Sequence, residues 1–321
     1  MRSVLQILAA GDYVSGEAIS RELGISRTAV WKRIAQLKEE GWQIEAAGRK
    51  GYCLKAGDSL DPRLWIGSLT TRTMGRGTIF YQEEVGSTNV EAKRLALEGA
   101  PSGSVCLCER QTAGKGRLGR TWVSEPGVGL WQSVLVRPRL EPKDAPLVTF
   151  CAALAMARAL NETTGLAVRV KWPNDIILEG KKLCGILLEV SGDMDHIESI
   201  VIGIGTNVRR GAYPDELAER ATCIEEHTVP PLRRQILTRY LQALEDSLEA
   251  LERDGLAGIS ESYRALSCTL GRRVHVIGSV DLVGVAEDID ETGALLVRTD
   301  DGELHRVLSG DVSVRGVMGY V

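Results

Sequence analysis

The segment Ala145–Gly165, APLVTFCAALAMARALNETTG, limits the possible folds of this chain more than any other. Wound as a helix it is apolar on almost every face, and such a helix is stable in water only when other elements cover it. Its neighbours supply that cover. TIFYQEEV (78–85), SVCLCE (104–109), the β-rich run ending at Val136, pieces of AVRVKWPNDIILEGKKLCGILLEV (167–190) and IESIVIGIGTNV (197–208) all read as strands. STNVEAKRLALEGA (87–100) reads as a helix opening at Ser87 or Thr88, with Glu91 placed to close a capping box on Thr88. From Leu232 a helix of about two dozen residues repeats Ile236, Leu237, Tyr240, Leu241, Leu244, Leu248 and Leu251 on one face. This alternation predicts an α/β domain, a mixed sheet backed by helices.

The amino-terminal segment has a different grammar. Leu5, Ile7 and Leu8 mark a short helix, and Ser15 can cap a second with Ala18, Ile19 and Leu23 inward. Gly24 turns the chain, and Ser26 is the natural cap of a third helix carrying Val30, Ile34 and Leu37. Two helices joined at ELGIS form a helix-turn-helix whose second member can enter a major groove. Its outward residues are Arg27, Thr28, Trp31, Lys32 and Arg33; Ser26 and Thr28 suit phosphate or base, and the cations suit phosphate. WQIEAAGRKGYCL then reads as a hairpin with Arg49 and Lys50 at its tip, which is a wing. Residues 1–54 hold eight Lys/Arg against six Asp/Glu, whereas the whole chain carries −4; the asymmetry is small and supports a DNA-binding amino end only where the fold agrees. A helical docking domain is the competing reading. KAGDSLDP (55–62) reads as a linker. The last fifty residues are short strands separated by Glu291-Thr292-Gly293 and Asp300-Asp301-Gly302 turns, which suits a small SH3-like barrel. The expected organisation is α+β and multidomain: a winged helix-turn-helix over 1–60, an α/β domain over 61–268 and the barrel over 269–321.

Seven cysteines scattered through apparent strands and helices read as buried, reduced thiols; Cys106 and Cys108 fall on one strand face and are too close for a zinc knuckle. No secretory signature opens the chain and no apolar run approaches membrane-spanning length, so the expected compartment is the cytoplasm.

The motif richest in chemistry is QTAGKGRLGRTW, Gln111–Trp122. Gly114, Gly116 and Gly119 match G-x-G-x-x-G, but the segment that follows is β-rich and no helix opens after it, so the dinucleotide turn is excluded. No Gly-Lys-Ser/Thr follows either, which excludes a P-loop. What remains is a mobile basic loop between two strands, able to bring backbone N–H groups and cations to an anion. A solvated surface loop is the plain alternative.

GSTN (86–89), ERQTAGKGRLGRTW (109–122), VKWPNDI (170–176), KKLCGILLE (181–189) and GIGTNV (203–208) stand in the order and approximate spacing of the biotin–protein ligases. With the winged helix added, nearly the whole chain resembles the bifunctional biotin ligases that also repress the biotin operon. The resemblance implies formation of biotinoyl-5'-AMP from biotin and ATP with Mg²⁺, transfer of biotin to a lysine of a carboxyl carrier protein domain, and a homodimer that binds operator DNA with the adenylate as corepressor. It places Ser87, Thr88, Asn89, Gln111, Gly114, Lys115, Arg117, Lys182, Gly185 and Gly203 around biotin. Trp122, Asn174, Asp175, Asn207 and Arg315 fall on the nucleotide side, with Asp175 suited to the metal. Lys182, Arg117 and Arg120 carry the charge stabilisation. Lys181 is a rival to Lys182 that strand alternation points away, and Trp122 suits a pocket wall or the core. Many relatives carry arginine where Lys115 stands; lysine keeps the charge and loses the two-oxygen fork. RRGAYPDELAERATCIEE (209–226) would order over adenine. A lipoate or octanoate ligase, and a ligand-sensing transcription factor without transfer activity, are the competing functions.

Overall fold

The computed structural model describes residues 3–9, 11–55, 57–193, 195–279, 281–309 and 312–316. Helices α1 (Val4–Leu8), α2 (Gly16–Leu23) and α3 (Arg27–Glu39) precede the hairpin of β1 (Ile44–Ala47) and β2 (Gly51–Leu54). Serine hydroxyls cap all three helices: Ser3 receives the N–H of Gln6, Ser15 that of Ala18 and Ser26 that of Ala29. Ile19, Val30, Ile34, Leu37 and Leu54 close a small separate core. Ala18, expected inward, is exposed, because the short α2 presents only Ile19 fully to that core.

The central sheet runs β3-β4-β5-β9-β8-β7-β6, from β3 (Ile79–Val85), β4 (Ser104–Gln111), β5 (Gly129–Val136), β6 (Arg169–Lys171), β7 (Asp175–Leu178), β8 (Lys181–Gly192) and β9 (Ile197–Asn207). Only β3 and β4 are parallel, and α4 (Thr88–Leu97) crosses between them. Side chains alternate across β4. Val105 and Leu107 meet the main core, Cys106 packs with Ala92 and Leu95 of α4, and Cys108 packs with Trp131. The two cysteines share a face as expected, and burial pushes both thiols up to about 12. On the other face lies α5 (Leu147–Thr164), buried along almost its whole length between the sheet, α6 (Arg233–Asp254) and α7 (Ala257–Leu266). That is the layering its all-round apolar sequence demands. The expected capping box at α4 does not form: Ser87 is the N-cap without a side-chain cap bond, and Glu91 pairs with Arg94 at 3.0 Å.

The expected barrel is an antiparallel five-stranded sheet, ordered β13-β12-β11-β10-β14, from β10 (Arg273–Gly278), β11 (Leu282–Ile289), β12 (Leu295–Thr299), β13 (Leu304–Val307) and β14 (Val312–Gly316). Its apolar residues Val274, Val276, Leu295, Val297 and Val314 join the main core. Trp172 Nε1 donates to Gly293 O at 3.1 Å, which ties this sheet to the β6–β7 turn.

The segment expected as a linker is held fast. Asp58 accepts from the Arg233 backbone at 2.6 Å, from Arg233 Nε at 3.1 Å and from Arg209 at 3.1 Å. Arg234 donates to Gly57 O at 2.9 Å and to Ala9 O at 2.6 Å. Leu64 packs into the winged-helix core while Leu60 and Trp65 pack into the central one. Arg233, only 3% exposed, also bonds Glu109 at 2.8 Å and Gly129 O at 3.0 Å. Substituting Arg233→Met leaves Glu109 buried without its cation and Asp58 with Arg209 as its remaining cation, and the expected loss is about 3–5 kcal/mol in urea unfolding. A loss under about 1 kcal/mol, the size of an exposed pair, would show the cluster to be peripheral.

Candidate active site

A cavity of about 850 Å³ opens where the β4–β5 loop, the β6–β7 turn, β8, β9, residues 217–221 and β14 converge. Its size is that of a small-molecule site. The inner end is built by α4 and its neighbours. Thr88 N–H donates to Gln111 Oε1 at 2.9 Å, and Gln111 Nε2 donates to Ser124 Oγ at 2.8 Å. Ser133, buried on β5, contacts both Thr88 Oγ1 and Asn89 Oδ1, and Asn89 Nδ2 donates to Glu189 at 2.7 Å. Burial works against the charge of Glu189, but bonds from Lys93 and Asn89 outweigh it and hold its carboxyl below its ordinary range. Gly203 must lack a side chain here, since a Cβ would collide with Asn89 Oδ1.

The glycine-rich loop, expected as mobile, is a closed hairpin in the structure. Gln111 N–H donates to Ser124 O at 3.1 Å, Trp122 N–H to Gly114 O at 2.9 Å and Gly116 N–H to Arg120 O at 2.7 Å. Gly114 is not on the cavity wall; its bare Cα lets the Trp122 backbone approach. Lys115, Arg117, Arg120 and Trp122 line the cavity. Arg117 fastens the hairpin shut, donating to Asn174 Oδ1 at 3.1 Å and to the carbonyl of Ser309, which lies between β13 and β14. Asn174 lines the cavity too, although its amide nitrogen is committed to Ile186 O at 2.7 Å.

Lys182 lines the cavity from β8. Lys182 Nζ lies 2.6 Å from Asp175 Oδ1 and 5.1 Å from the centre of the Trp122 ring. Its backbone is stitched to the strap beside it: Lys182 N–H donates to Arg220 O, and Thr222 N–H to Lys182 O. Lys181 turns away and bonds Ala218 O at 2.7 Å. Gly185 and Gly205 give the floor that Trp122 rests on. Arg315 reaches the cavity from β14. Asn207 does not line it: it is buried behind the wall, where Nδ2 donates to Thr222 O at 3.0 Å and holds the strap. Leu217, Glu219 and Arg220, from the 209–226 segment expected beside adenine, line the cavity, as does Lys171; Ser133 and Glu189, not singled out, brace its inner end. The signal for Ser133 was a small polar residue inside an apolar strand.

Seven Lys/Arg residues (Lys115, Arg117, Arg120, Lys171, Lys182, Arg220 and Arg315) thus line one cavity against two carboxylates, Asp175 and Glu219. Such a site is made for polyanions. Among the described residues no three His, Cys, Asp or Glu gather at one point. At the winged helix, Ser26, Arg27, Thr28, Lys32, Arg33 and Lys50 are exposed and Trp31 is 61% exposed; the Ser26 hydroxyl accepts the Ala29 N–H as cap and keeps its own proton to donate. The Arg49 side chain lies outside the described residues. No helix among the described residues is long and apolar enough to cross a membrane.

Comparison with known proteins agrees with this architecture. The model of the biotin/lipoate A/B protein ligase family matches residues 81–207, an HTH domain model 1–53 and the biotin protein ligase C-terminal domain model 269–315. The chain is 36% identical over 314 residues to the bifunctional ligase/repressor BirA of Bacillus subtilis, covering 95% of each chain. The chain belongs to the biotin–protein ligase family. This ligase is also 31% identical over 315 residues to BirA of Escherichia coli, covering 97% of this chain and 96% of that one. The biotin protein ligase of Aquifex aeolicus, solved in complex with biotin and ATP, superposes with a TM-score of 0.65 at 30% identity, over 74% of this chain and 99% of that one.

Lys171 gives the ligase site a pH signature. It is 5% exposed, and burial pushes its ammonium down from the ordinary 10.5 to about 8, partly offset by Asp175. Above about pH 8 the folded protein gives up a proton that the unfolded chain keeps until 10.5, so this group adds stability as pH rises through that window. Below about 8 both states hold the proton and the cost of burying the charge is present in full. Urea unfolding of Lys171→Met should lack the rise between pH 8 and 10.5 that the natural chain shows. Parallel curves for the two proteins would refute the assignment.

Proposed function

We propose that this ligase joins the carboxylate of biotin to the α-phosphate of ATP, releasing pyrophosphate, and passes the biotinoyl group to a carrier lysine. The observation that carries the reading is the cavity lined by seven cations, set beside a neutral polar pocket. A carboxylate and a triphosphate repel, and reaction needs fixed positive charge where they meet. In the first step a biotin carboxylate oxygen bonds the α-phosphorus as the bond to pyrophosphate breaks. In the second the carrier amine bonds the acyl carbon, AMP leaves and the amine releases a proton. Lys182, central and backed by Trp122, stabilises charge on the carboxylate and α-phosphate. Ser87, Thr88, Asn89 and Gln111, with Gly185 and Gly203 as floor, form the ureido end. Lys115, Arg117 and Arg120 close over the mixed anhydride and keep water from it. Trp122, Asn174 and Arg315 belong to the nucleotide side, where Asn207 acts indirectly by holding the strap.

Mg²⁺ arrives on the triphosphate, and the donor set suits that. Mg²⁺ takes most ligands from phosphates and water and needs only one or two carboxylates, and Asp175 and Glu219 are those in the cavity. When bound, the metal neutralises phosphate charge; orientation of the carboxylate is left to Lys182 and the hairpin.

The same adenylate serves as corepressor. Its binding promotes a homodimer that presents two winged helices to an inverted-repeat operator. Arg27, Lys32, Arg33, Arg49 and Lys50 meet phosphate, and Ser26 and Thr28 meet a base edge or phosphate. The carrier protein competes for the monomer.

One variant tests both halves. Lys182→Ala should cut biotin-dependent pyrophosphate exchange by about 10²–10³, the range seen when one preorganised donor is removed. Its operator binding should ignore biotin and ATP yet respond to added biotinoyl-adenylate. Exchange near the natural rate would overturn the assignment of Lys182. Failure to respond to supplied adenylate would separate the repressor role from the ligase.

A further inference from the structure

The inner end of the cavity contains a chain of hydrogen bonds whose direction is set by an anion outside it. Glu189, on β8, does not line the cavity; it accepts from Asn89 Nδ2 at 2.7 Å and from Lys93 Nζ at 2.5 Å. Ser133 Oγ lies 2.6 Å from Asn89 Oδ1 and 2.7 Å from Thr88 Oγ1. An ionised carboxylate only accepts, so Asn89 must turn its amide nitrogen to Glu189 and its oxygen to Ser133. Ser133 owns one proton and gives it to that oxygen. The 2.7 Å contact between the two hydroxyls then requires the proton of Thr88, because facing lone pairs at that distance repel. The other acceptor open to Thr88, Gln111 Oε1, is farther at 3.2 Å and already accepts the Thr88 N–H. Thr88 Oγ1 therefore keeps its remaining lone pairs for the cavity. Thr88, Asn89 and Ser133 are all buried, so bulk water does not compete for these bonds.

We propose that Glu189 is a positioning residue for the ureido ring: through Asn89 and Ser133 it fixes Thr88 as a hydrogen-bond acceptor toward a ring N–H. The inference rests on the reading of this cavity as a biotin site. It explains how a pocket of hydroxyls, each able to donate or accept, acquires one polarity. It also adds specificity, because a dithiolane or an alkyl end has no N–H to offer and leaves the buried acceptor unpaired. Ser87, which makes no side-chain cap bond, remains to donate to the ureido oxygen.

The test is the biotin KM and kcat of pyrophosphate exchange, measured on the full chain for Glu189→Gln, Ser133→Ala, the double variant and Lys93→Met. Glu189→Gln restores an amide that can face either way, and each of the first two should raise the biotin KM about tenfold, the effect of one buried hydrogen bond. Their kcat should stay within about twofold and the ATP KM should not move, since nothing at the reacting atoms changes. The double variant should be no worse than the poorer single one, because both break the same chain. Lys93→Met leaves Glu189 an acceptor and should behave as the natural protein does. An unchanged biotin KM in Glu189→Gln overturns the proposal. So does a double variant whose effects multiply to about 10², or a Lys93→Met as impaired as Glu189→Gln. Should Glu189→Gln lose its thermal transition, Ser133→Ala decides alone, and an unchanged KM there overturns the proposal. A natural chain that adenylates no biotin would instead remove the function on which the inference rests.

Discussion

Seven cations facing one cavity with two carboxylates among them repel one another, and much of this structure follows from holding them there. Lys182 leans on Asp175, Arg117 on Asn174 and on the Ser309 carbonyl between β13 and β14. Lys171 sits so deep that its proton is loosened. The cations come from separate parts of the chain: three from one hairpin, one from the β6–β7 region, one from β8, one from the strap and one from β14. No local motif could concentrate so much charge; the sheet, strap and terminal domain must be docked first. An anionic substrate then completes what folding leaves unbalanced.

Docking is therefore part of the chemistry. Trp172, one residue after Lys171, donates its indole N–H to Gly293 and so attaches the terminal sheet whose last strand delivers Arg315. The amino-terminal domain is attached by a different device. Arg233 is buried between Asp58 and Glu109, and Arg234 beside it reaches Ala9. Glu109 lies two residues before Gln111 on β4, so the strand that braces the polar pocket also anchors the winged helix. Buried charge of this kind is costly unless fully paired, and that requirement fixes one geometry.

The sequence was most legible where periodicity met burial. α5 and α6 could be read from their apolar faces, the caps at Ser15 and Ser26 from hydroxyls before apolar runs, and the preference for Lys182 over Lys181 from strand alternation. It was least legible where sequence neighbours part in space. KAGDSLDP has the composition of a linker, and nothing local shows that Asp58 will meet an arginine about 175 residues later, a separation at which composition carries no information. Asn207 completes an attractive Gly-x-Gly-x-Asn pattern, yet its side chain falls behind the wall. Gly114 likewise serves backbone approach and not the cavity surface. Ser133 and Glu189 escape motif reading because the register of β5, β9 and β8, not their sequence neighbourhood, brings them to Asn89.

The central claim is that this cavity makes and retains a biotinoyl-adenylate. Native mass spectrometry of the full chain after incubation with Mg-ATP and either biotin or lipoate tests it most directly. The account predicts a retained biotinoyl-adenylate mass and a shift toward dimer with biotin, and neither with lipoate. Biotin bound without adenylation, or a lipoyl-adenylate in its place, would contradict it.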